Sequence, residues 1–542
     1  MPGELIPVLV DDPLQMAWLD RNDLGNAERM VRLSKGLLLW IDGIGWVAYD
    51  GRRWSARDGD RMARRLAHDV ARHIDREAAA LNEIANDQAA LKAAFGWDVP
   101  TDLAEERVIA LRKHAVASGD ASRTNAMLTQ AKELTQLRAD RDEFDQDPLA
   151  INLANGTLRF VAGAGGGWEP RLDPHEPTDR FMQMANVAYD PDVQCPDWME
   201  RMKLVQPDRD QRGLLQQIYG YCLTGLTSEQ KFFIYQGRGG DGKSATNMVV
   251  SEMFGDYARH ADVKTFLKGA TKSGSDHSSD LARLSGDVRF VLCEEPDRNA
   301  TWDGGLLKKI TGGKVTARPL REAEIEYYPH WKLIVEVNPL PAVPSDDDGF
   351  WRRCWVVPWP FQFKLAGSVQ PEAMDVVVAR LLEQSSGILN WMVAGACRWL
   401  ETRRLPMAAA AKEAIDGYRQ SASPMGEWLG DRCDLSDRNA LTRAGTLYTD
   451  FKEWCEKAGI EKVPTQTAFG RALRDRQIME KKDGAGNRFR RGIALKPDGI
   501  GGDLGAIASA AATPDPFDRG GGGREAARSA GGFDGFDEDM PA

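Results

Sequence analysis

The segment Gly237-Arg238-Gly239-Gly240-Asp241-Gly242-Lys243-Ser244 satisfies G-x-x-x-x-G-K-[ST] at every fixed position. A loop of this kind needs a strand to enter it and a helix to leave it. Both are written into the chain. Lys231-Phe-Phe-Ile-Tyr235 reads as a short apolar strand, and Ser244-Ala245-Thr-Asn-Met-Val-Val250 reads as a helix start. The glycines let the backbone curl so that its N–H groups point at phosphate. Lys243 then reaches the β- and γ-phosphates of a nucleoside triphosphate, and Ser244 offers a hydroxyl to Mg²⁺. Residues 237–245 are therefore the predicted nucleotide-binding stretch. The competing reading, a glycine-rich turn that happens to precede a lysine, leaves the flanking strand and helix unexplained.

Three further segments follow in an order that suits a phosphate-transfer site. Val288-Arg-Phe-Val-Leu-Cys293 is an apolar strand that ends in Glu294-Glu295. Two carboxylates at a strand tip suit one in the Mg²⁺ shell, here Glu294, and one that polarises the attacking water. Trp331-Lys-Leu-Ile-Val-Glu-Val337 ends in Asn338-Pro339, where an amide can position that water or sense the γ-phosphate. Asp346-Asp-Asp-Gly-Phe-Trp-Arg352-Arg353 then brings two adjacent arginines, suited to stabilising γ-phosphate charge. Each has a plainer alternative: an exposed acidic loop, an Asn-Pro turn, and a surface ion pair with Asp346–Asp348.

At 542 residues the chain is too long for one ordinary domain. Lys and Arg number 70 against 81 Asp and Glu, a net charge of -11. That excludes a uniformly basic nucleic-acid coat, though not a basic patch on an acidic body. No run of about 18 apolar residues is present, so no membrane partner is expected. The start lacks a secretory pattern, and the seven cysteines form no CxxC pair. A reducing cytoplasm is the expected compartment.

The pattern divides the chain into segments. Residues 1–145 combine a helix from Asp23, a β-meander around Asp42-Gly43 and Asp50-Gly51, and a long helical stretch. Residues 146–230 hold a hairpin at Ile151–Phe160 and then helices. Residues 231–375 alternate strands, glycine-rich loops and helices, which is α/β. Residues 376–439 are a helical connector. Residues 440–496 read as two helices and a glycine-rich hairpin, a winged-helix pattern. Residues 497–542 form an acidic, glycine-rich tail for which disorder is expected.

Two stretches concentrate positive charge. The first carries Lys308, Lys309, Lys314, Arg318 and Arg321, followed by Tyr327, Tyr328 and His330. Cations for phosphates and rings for stacking suit single-stranded DNA. The second, residues 465–496, has nine Lys/Arg against three Asp/Glu. There Arg471 and Arg474 are placed to face a DNA groove, and Arg488, Arg490 and Arg491 to contact its backbone.

The order of these parts resembles the superfamily 3 helicases, and more closely the phage and plasmid primase-helicases related to the poxvirus primase-helicase. The resemblance rests on Asp145–Gly156, on Gly220–Lys231 and on Leu307-Lys308-Lys-Ile-Thr-Gly312-Gly313-Lys-Val-Thr-Ala-Arg318. It is strongest over residues 145–360 and looser over 1–140. Asp241 stands where many relatives have Asn, a change a loop should tolerate, and Lys314 stands where an acidic residue is common. The resemblance implies an AAA+-like core in a homo-hexameric ring that uses ATP and Mg²⁺. It implies a finger, Arg352 or Arg353, reaching a neighbour's site, and 3′-to-5′ unwinding of forked DNA by translocation on one strand. Residues 1–145 hold no zinc module and no grouped carboxylates, so a collar role is expected, with priming left to a separate primase and a single-strand-binding protein as a further partner. An ATP-assembled origin-binding initiator, an ATPase of another class and a full primase-helicase remain the alternatives.

Overall fold

The computed structural model describes residues 12–268, 279–294, 300–319, 323–343, 348–363, 372–422, 424–460, 463–484 and 486–496. Glu295, Arg321 and the acidic tail lie outside them. Among the described residues no helix is long and apolar enough to cross a membrane.

The N-terminal part contains α1 (Pro13–Met16), α2 (Asp23–Ser34), a three-stranded meander β1 (Leu38–Ile41), β2 (Gly45–Tyr49) and β3 (Trp54–Ser55), and then α3 (Ala56–Ile84), α4 (Gln88–Phe95), α5 (Thr101–Ser118) and α6 (Ala121–Ala131). The cap of α2 is Asn22, one residue earlier than the Asp23 start read from sequence; its side chain accepts from the Gly25 N–H. Both Asp-Gly turns of the meander carry glycine at positive φ, +80° at Gly43 and +97° at Gly51, which is why glycine stands there. The 29-residue α3 buries Ala63, Ala67, Val70, Ile74, Ala78 and Leu81, a helical-period stripe that organises this core.

The predicted hairpin is the first two strands of a three-stranded antiparallel sheet, β4 (Ala150–Leu153), β5 (Gly156–Ala162) and β6 (Trp168–Asp173). Helices α7 (Pro196–Val205) and α8 (Arg209–Cys222) lead from it into the central unit.

That unit is a five-stranded sheet built from β7 (Phe232–Gln236), β8 (Ala258–Ala261), β9 (Phe290–Cys293), β12 (Lys332–Val337) and β13 (Cys354–Pro358). The lateral order is β13-β7-β12-β9-β8, and every pairing is parallel. Numbered within the sheet, the order is 5-1-4-3-2. Helix α9 (Lys243–Phe254) follows β7. Between β9 and β12 come α10 (Gly304–Ile310) and the hairpin β10 (Val315–Ala317) and β11 (Ile325–Tyr327); α11 (Asp348–Trp351) precedes β13. β7, β9 and β13 are almost continuously apolar because both sheet faces are covered there. Phe233, Tyr235, Ile334 and Val357 enter one core, while their neighbours Phe232, Ile234, Val335 and Val356 enter a second core on the opposite face.

Helices α12 (Met374–Leu382), α13 (Ser385–Thr402) and α14 (Ala409–Ser421) follow. Helices α8 and α13 cross at backbone contact. A Cβ on Gly220 would lie 2.2 Å from the Ala396 nitrogen, and one on Gly395 would lie 2.1 Å from the Gln216 carbonyl oxygen. The C-terminal part comprises α15 (Pro424–Arg432), β14 (Cys433–Asp434), β15 (Leu441–Arg443), α16 (Ala444–Lys457), α17 (Gln466–Asp475), β16 (Glu480–Lys482), β17 (Arg488–Arg491) and β18 (Ala494–Leu495). The two helices and the hairpin were expected. The hairpin takes β15 as a third strand, in the order β15-β17-β16, and β14 pairs with β18.

Candidate functional site

The carboxyl ends of β7, β9 and β12 open on one edge of the sheet, and the glycine-rich loop lies there, the usual place for a ligand in a parallel α/β sheet. Gly239, Gly240 and Gly242 have φ of +81°, +61° and +91°, so the loop's curl depends on glycine. Helix α9 begins at Lys243 with Gly242 as its cap, which aims the helix N-terminus at the loop's hollow.

That hollow already holds an anion of the chain's own. The Asp241 carboxylate accepts from the Gly239 N–H at 3.3 Å and the Lys243 N–H at 3.2 Å, and it ion-pairs with the Lys243 ammonium. Asp241 is 3% exposed and Lys243 4%. These are the donors that a phosphate group would use. Asp241 is thus an engaged residue rather than the neutral loop substitution the sequence suggested.

Below the loop, Ser244 Oγ donates to Glu336 Oε2 at 2.5 Å, and Asn247 Nδ2 donates to Glu336 Oε1 at 2.7 Å. Tyr219 in turn donates its hydroxyl proton to Asn247 Oδ1 at 2.7 Å. Burial pushes the Glu336 carboxyl up, and the Ser244 and Asn247 hydrogen bonds pull it back. Glu336 was missed in the sequence. The available signal was a carboxylate inside an otherwise apolar strand, which has to find polar partners wherever it is buried. Asn338, two residues on, lies beside the loop: a Cβ on Gly239 would sit 3.9 Å from Asn338 Nδ2. Glu294 leaves the end of β9 and is exposed. Since β12 lies between β7 and β9, Glu294 is one strand further from the loop than Glu336.

Arg352 and Arg353 are not gathered into this site. They precede β13 at the other edge of the sheet, where the Phe232 N–H donates to the Arg353 carbonyl at 3.0 Å. The five residues of β7 separate that point from the loop, about 16 Å at strand rise. Arg352 is exposed, and Arg353 Nη1 donates to the Gly349 carbonyl at 3.1 Å. Asp348 pairs with Arg419 instead.

On the α9 side of the loop a cavity of about 740 Å³ is bounded by Arg201 and Leu204 of α7, by Phe363 and by Val377 of α12. The Arg201 guanidinium lies 5.5 Å above the Phe363 ring. The cavity opens directly onto Gly240–Ala245, so it continues the phosphate hollow. Ser244 and Glu336 present hard oxygen donors that fit Mg²⁺. Among the described residues no group of three or more His, Cys, Asp or Glu could hold a metal, so such an ion would draw its other ligands from phosphate and water.

The predicted nucleic-acid residues are spread over two places. Lys308 is half-buried and Arg318 exposed, while Lys314 forms an ion pair with Glu326 across the β10–β11 hairpin. Of the aromatic residues there, Tyr328 is exposed. Tyr327 donates to the Leu281 carbonyl at 2.7 Å, and His330 Nδ1 lies 3.3 Å from Asp287 Oδ1. In the C-terminal part Arg471, Arg474 and Arg488 are exposed. Arg491 donates to Asn439 Oδ1 at 2.6 Å, and Arg490 is buried rather than on the outer face.

Comparison with known proteins finds sequences named as putative helicases. The chain is 34% identical over 163 residues to "Putative helicase L207/L206" of Acanthamoeba polyphaga mimivirus, covering 30% of this chain and 17% of that protein. It is 26% identical over 262 residues to "Putative helicase 022R" of Frog virus 3 (isolate Goorha), covering 46% and 27%. The chain thus spans under a third of the length of these relatives. Among solved structures it is similar to the NrS-1 C-terminal region, at 11% identity and a TM-score of 0.34, covering 57% of this chain and 79% of that one. It is also similar to the JCV helicase, at 16% identity and a TM-score of 0.26, covering 43% and 64%. The fold itself is read from the sheet described above. A family model reaches back to residue 27, well before the stretch where the sequence resemblance is strongest. Residues 27–207 match the family described as D5 N terminal like, so that stretch of the chain is similar to that family.

Proposed function

We propose that this chain is an ATP-driven DNA helicase with an AAA+-like core, in which each nucleotide site is completed by a neighbouring copy in a hexameric ring. The observation that carries the reading is the constellation at one sheet edge: the phosphate loop with Lys243, the Ser244–Glu336 pair beneath it, and Asn338 beside it. The 5-1-4-3-2 parallel order, which sets these groups at adjacent strand ends, supports the AAA+-like reading. Lys243 neutralises the transferred phosphate, and Ser244 and Glu336 would hold Mg²⁺, with Glu294 at the end of the next strand. Asn338 orients the attacking water, and Glu294 or Glu295 accepts its proton. Mg²⁺, when bound, supplies charge neutralisation at the β- and γ-oxygens. The distance from Arg352 and Arg353 to their own loop supports a role on the next subunit's nucleotide.

DNA would meet the β10–β11 hairpin and the C-terminal helices and hairpin, whose arrangement supports the winged-helix reading. The test is strand displacement on forked DNA with ATP. The wild-type chain should separate the strands, and Lys243→Ala should not. ATP-stimulated binding to one duplex sequence without displacement would instead favour the initiator reading, which the basic C-terminal part makes the main competitor.

A further inference from the structure

A cleft of about 540 Å³ lies between α17 and the β16–β17 hairpin. Arg471 and Arg474 line it from the helix, and Arg488 and Arg490 line it from β17. Glu480 on β16 is the one carboxylate among the lining residues, so four positive charges face one negative charge. Glu480 lies 3.4 Å from Arg490 and 3.7 Å from Arg488. Arg471 and Arg474 have no acidic partner among the described residues.

Arg490 makes the imbalance costly to leave unanswered. It is 3% exposed; Nη1 donates to the Ile478 carbonyl and Nη2 to the Gly470 carbonyl, both at 3.1 Å. Its Nε is buried without a hydrogen-bond partner. Burial lowers its pKa; Glu480 opposes this, and Arg474 and Arg488 reinforce it. Two helix starts add to the field. Ala444, the first residue of α16, lines the cleft, as do Gln466 and Thr467 in the first turn of α17. One buried cation, converging guanidinium groups and two helix N-termini together describe a site for an anion.

A helix that enters a DNA groove turns its cations outward. Here Arg471 and Arg474 share a cleft with the hairpin, so their guanidinium groups converge with those of Arg488 and Arg490 on one hollow instead of standing alone on a helix face. The only lining aromatic, Phe469, is a core residue, so phosphates rather than bases are gripped. We propose that this cleft binds the phosphodiester backbone of single-stranded DNA. The proposal rests on the DNA-handling reading above.

The test is anisotropy of a labelled oligothymidine strand with the full chain, without nucleotide, over a salt series. Arg471→Ala/Arg474→Ala should weaken binding at low salt about 10- to 100-fold and lower the slope of log affinity against log salt by about 1.4, roughly 0.7 for each phosphate left without its cation. Both side chains are exposed, so the module's core stays intact, and unchanged thermal unfolding checks this. Glu480→Gln should tighten binding and steepen the slope, whereas a purely structural role would weaken it. Arg474→Lys should keep the slope. An unchanged slope in the double variant, or an equal loss on a blunt duplex, overturns the proposal. If strand displacement fails while these shifts appear, the helicase reading falls and the cleft stands. If displacement succeeds while the double variant binds like wild type, the cleft falls alone.

Discussion

On the proposed reading, Asp241 is the residue whose chemistry a nucleotide would have to overcome. Its carboxylate takes the Gly239 and Lys243 N–H groups and the Lys243 ammonium, so a phosphate entering the loop must displace a negative charge of the chain's own. Asp241→Asn keeps a side chain able to accept from the backbone but removes the charge. It should tighten ADP binding about tenfold, or about 1.4 kcal/mol, in a fluorescence titration; weaker binding would mean that Asp241 holds the loop in shape. Glu336→Gln should keep the Ser244 contact and nucleotide binding while turnover falls about 100-fold or more, read as ATP hydrolysis over a range of Mg²⁺. Lys243 and Ser244 were legible because the loop motif fixes their spacing. Glu336 was not, because attention to strand tips passes over a carboxylate two residues inside the strand. Burial of Arg490 was equally invisible: a run such as Arg488-Phe-Arg-Arg491 has polar residues on both faces, and only the tertiary fold decides which one turns inward.

At the scale of elements, most of what was legible came from long apolar runs and glycine-marked turns. The core strands β7, β9 and β12, the hairpin at Ala150–Ala162 and the Asp-Gly meander follow from such patterns, whereas β8, Ala-Arg-His-Ala, carries no such run. The strands β6 and β15 were missed because each pairs along one side and leaves much of its surface in solvent, so neither carries a hydrophobic signal. The α8–α13 crossing shows what a single atom does at this scale. Gly220→Ala would place a methyl group 2.2 Å from the Ala396 nitrogen, where backbone cannot yield locally. It should lower stability by about 1–3 kcal/mol, seen as an earlier unfolding midpoint with an unchanged denaturant slope. Gly213→Ala, on the same helix with open space around its Cβ position, is the control and should not lower it.

At the scale of the whole molecule, buried charge ties the N-terminal hairpin, α8 and the sheet together. Arg289 donates to the Leu223 and Asp147 carbonyls and pairs with Asp287 at 2.7 Å, and Lys332 donates to the Thr224 and His330 carbonyls under the Tyr221 ring. Burial pulls the Lys332 pKa down to about 7 from an ordinary 10.5. The unfolded chain therefore binds more protons than the folded one between those values, and this group's contribution makes stability rise with pH through that window. Lys332→Met should remove that rise. The difference between variant and wild type in urea midpoints from about pH 7 to 8.5 isolates it, because the thiols that titrate toward the top of that window are common to both proteins. The subunit boundary is tested by mixing. Arg352→Ala/Arg353→Ala protein and Lys243→Ala protein should each be inactive alone, and together should recover part of the ATPase, since each supplies the half the other lacks. No recovery at any ratio would return the arginines to a role within their own subunit.

The length of β7 carries a consequence for regulation by abundance. If Arg352 and Arg353 act on a neighbouring copy as proposed, with Arg353 held away from the loop of its own chain by the five residues of β7, a lone copy would carry the halves of two different sites and the whole of none. Specific ATPase activity should then fall steeply on dilution, with no inhibitor present, and return on concentration. Low copy number would itself be an off state: idle chains would spend no nucleotide until enough of them had met.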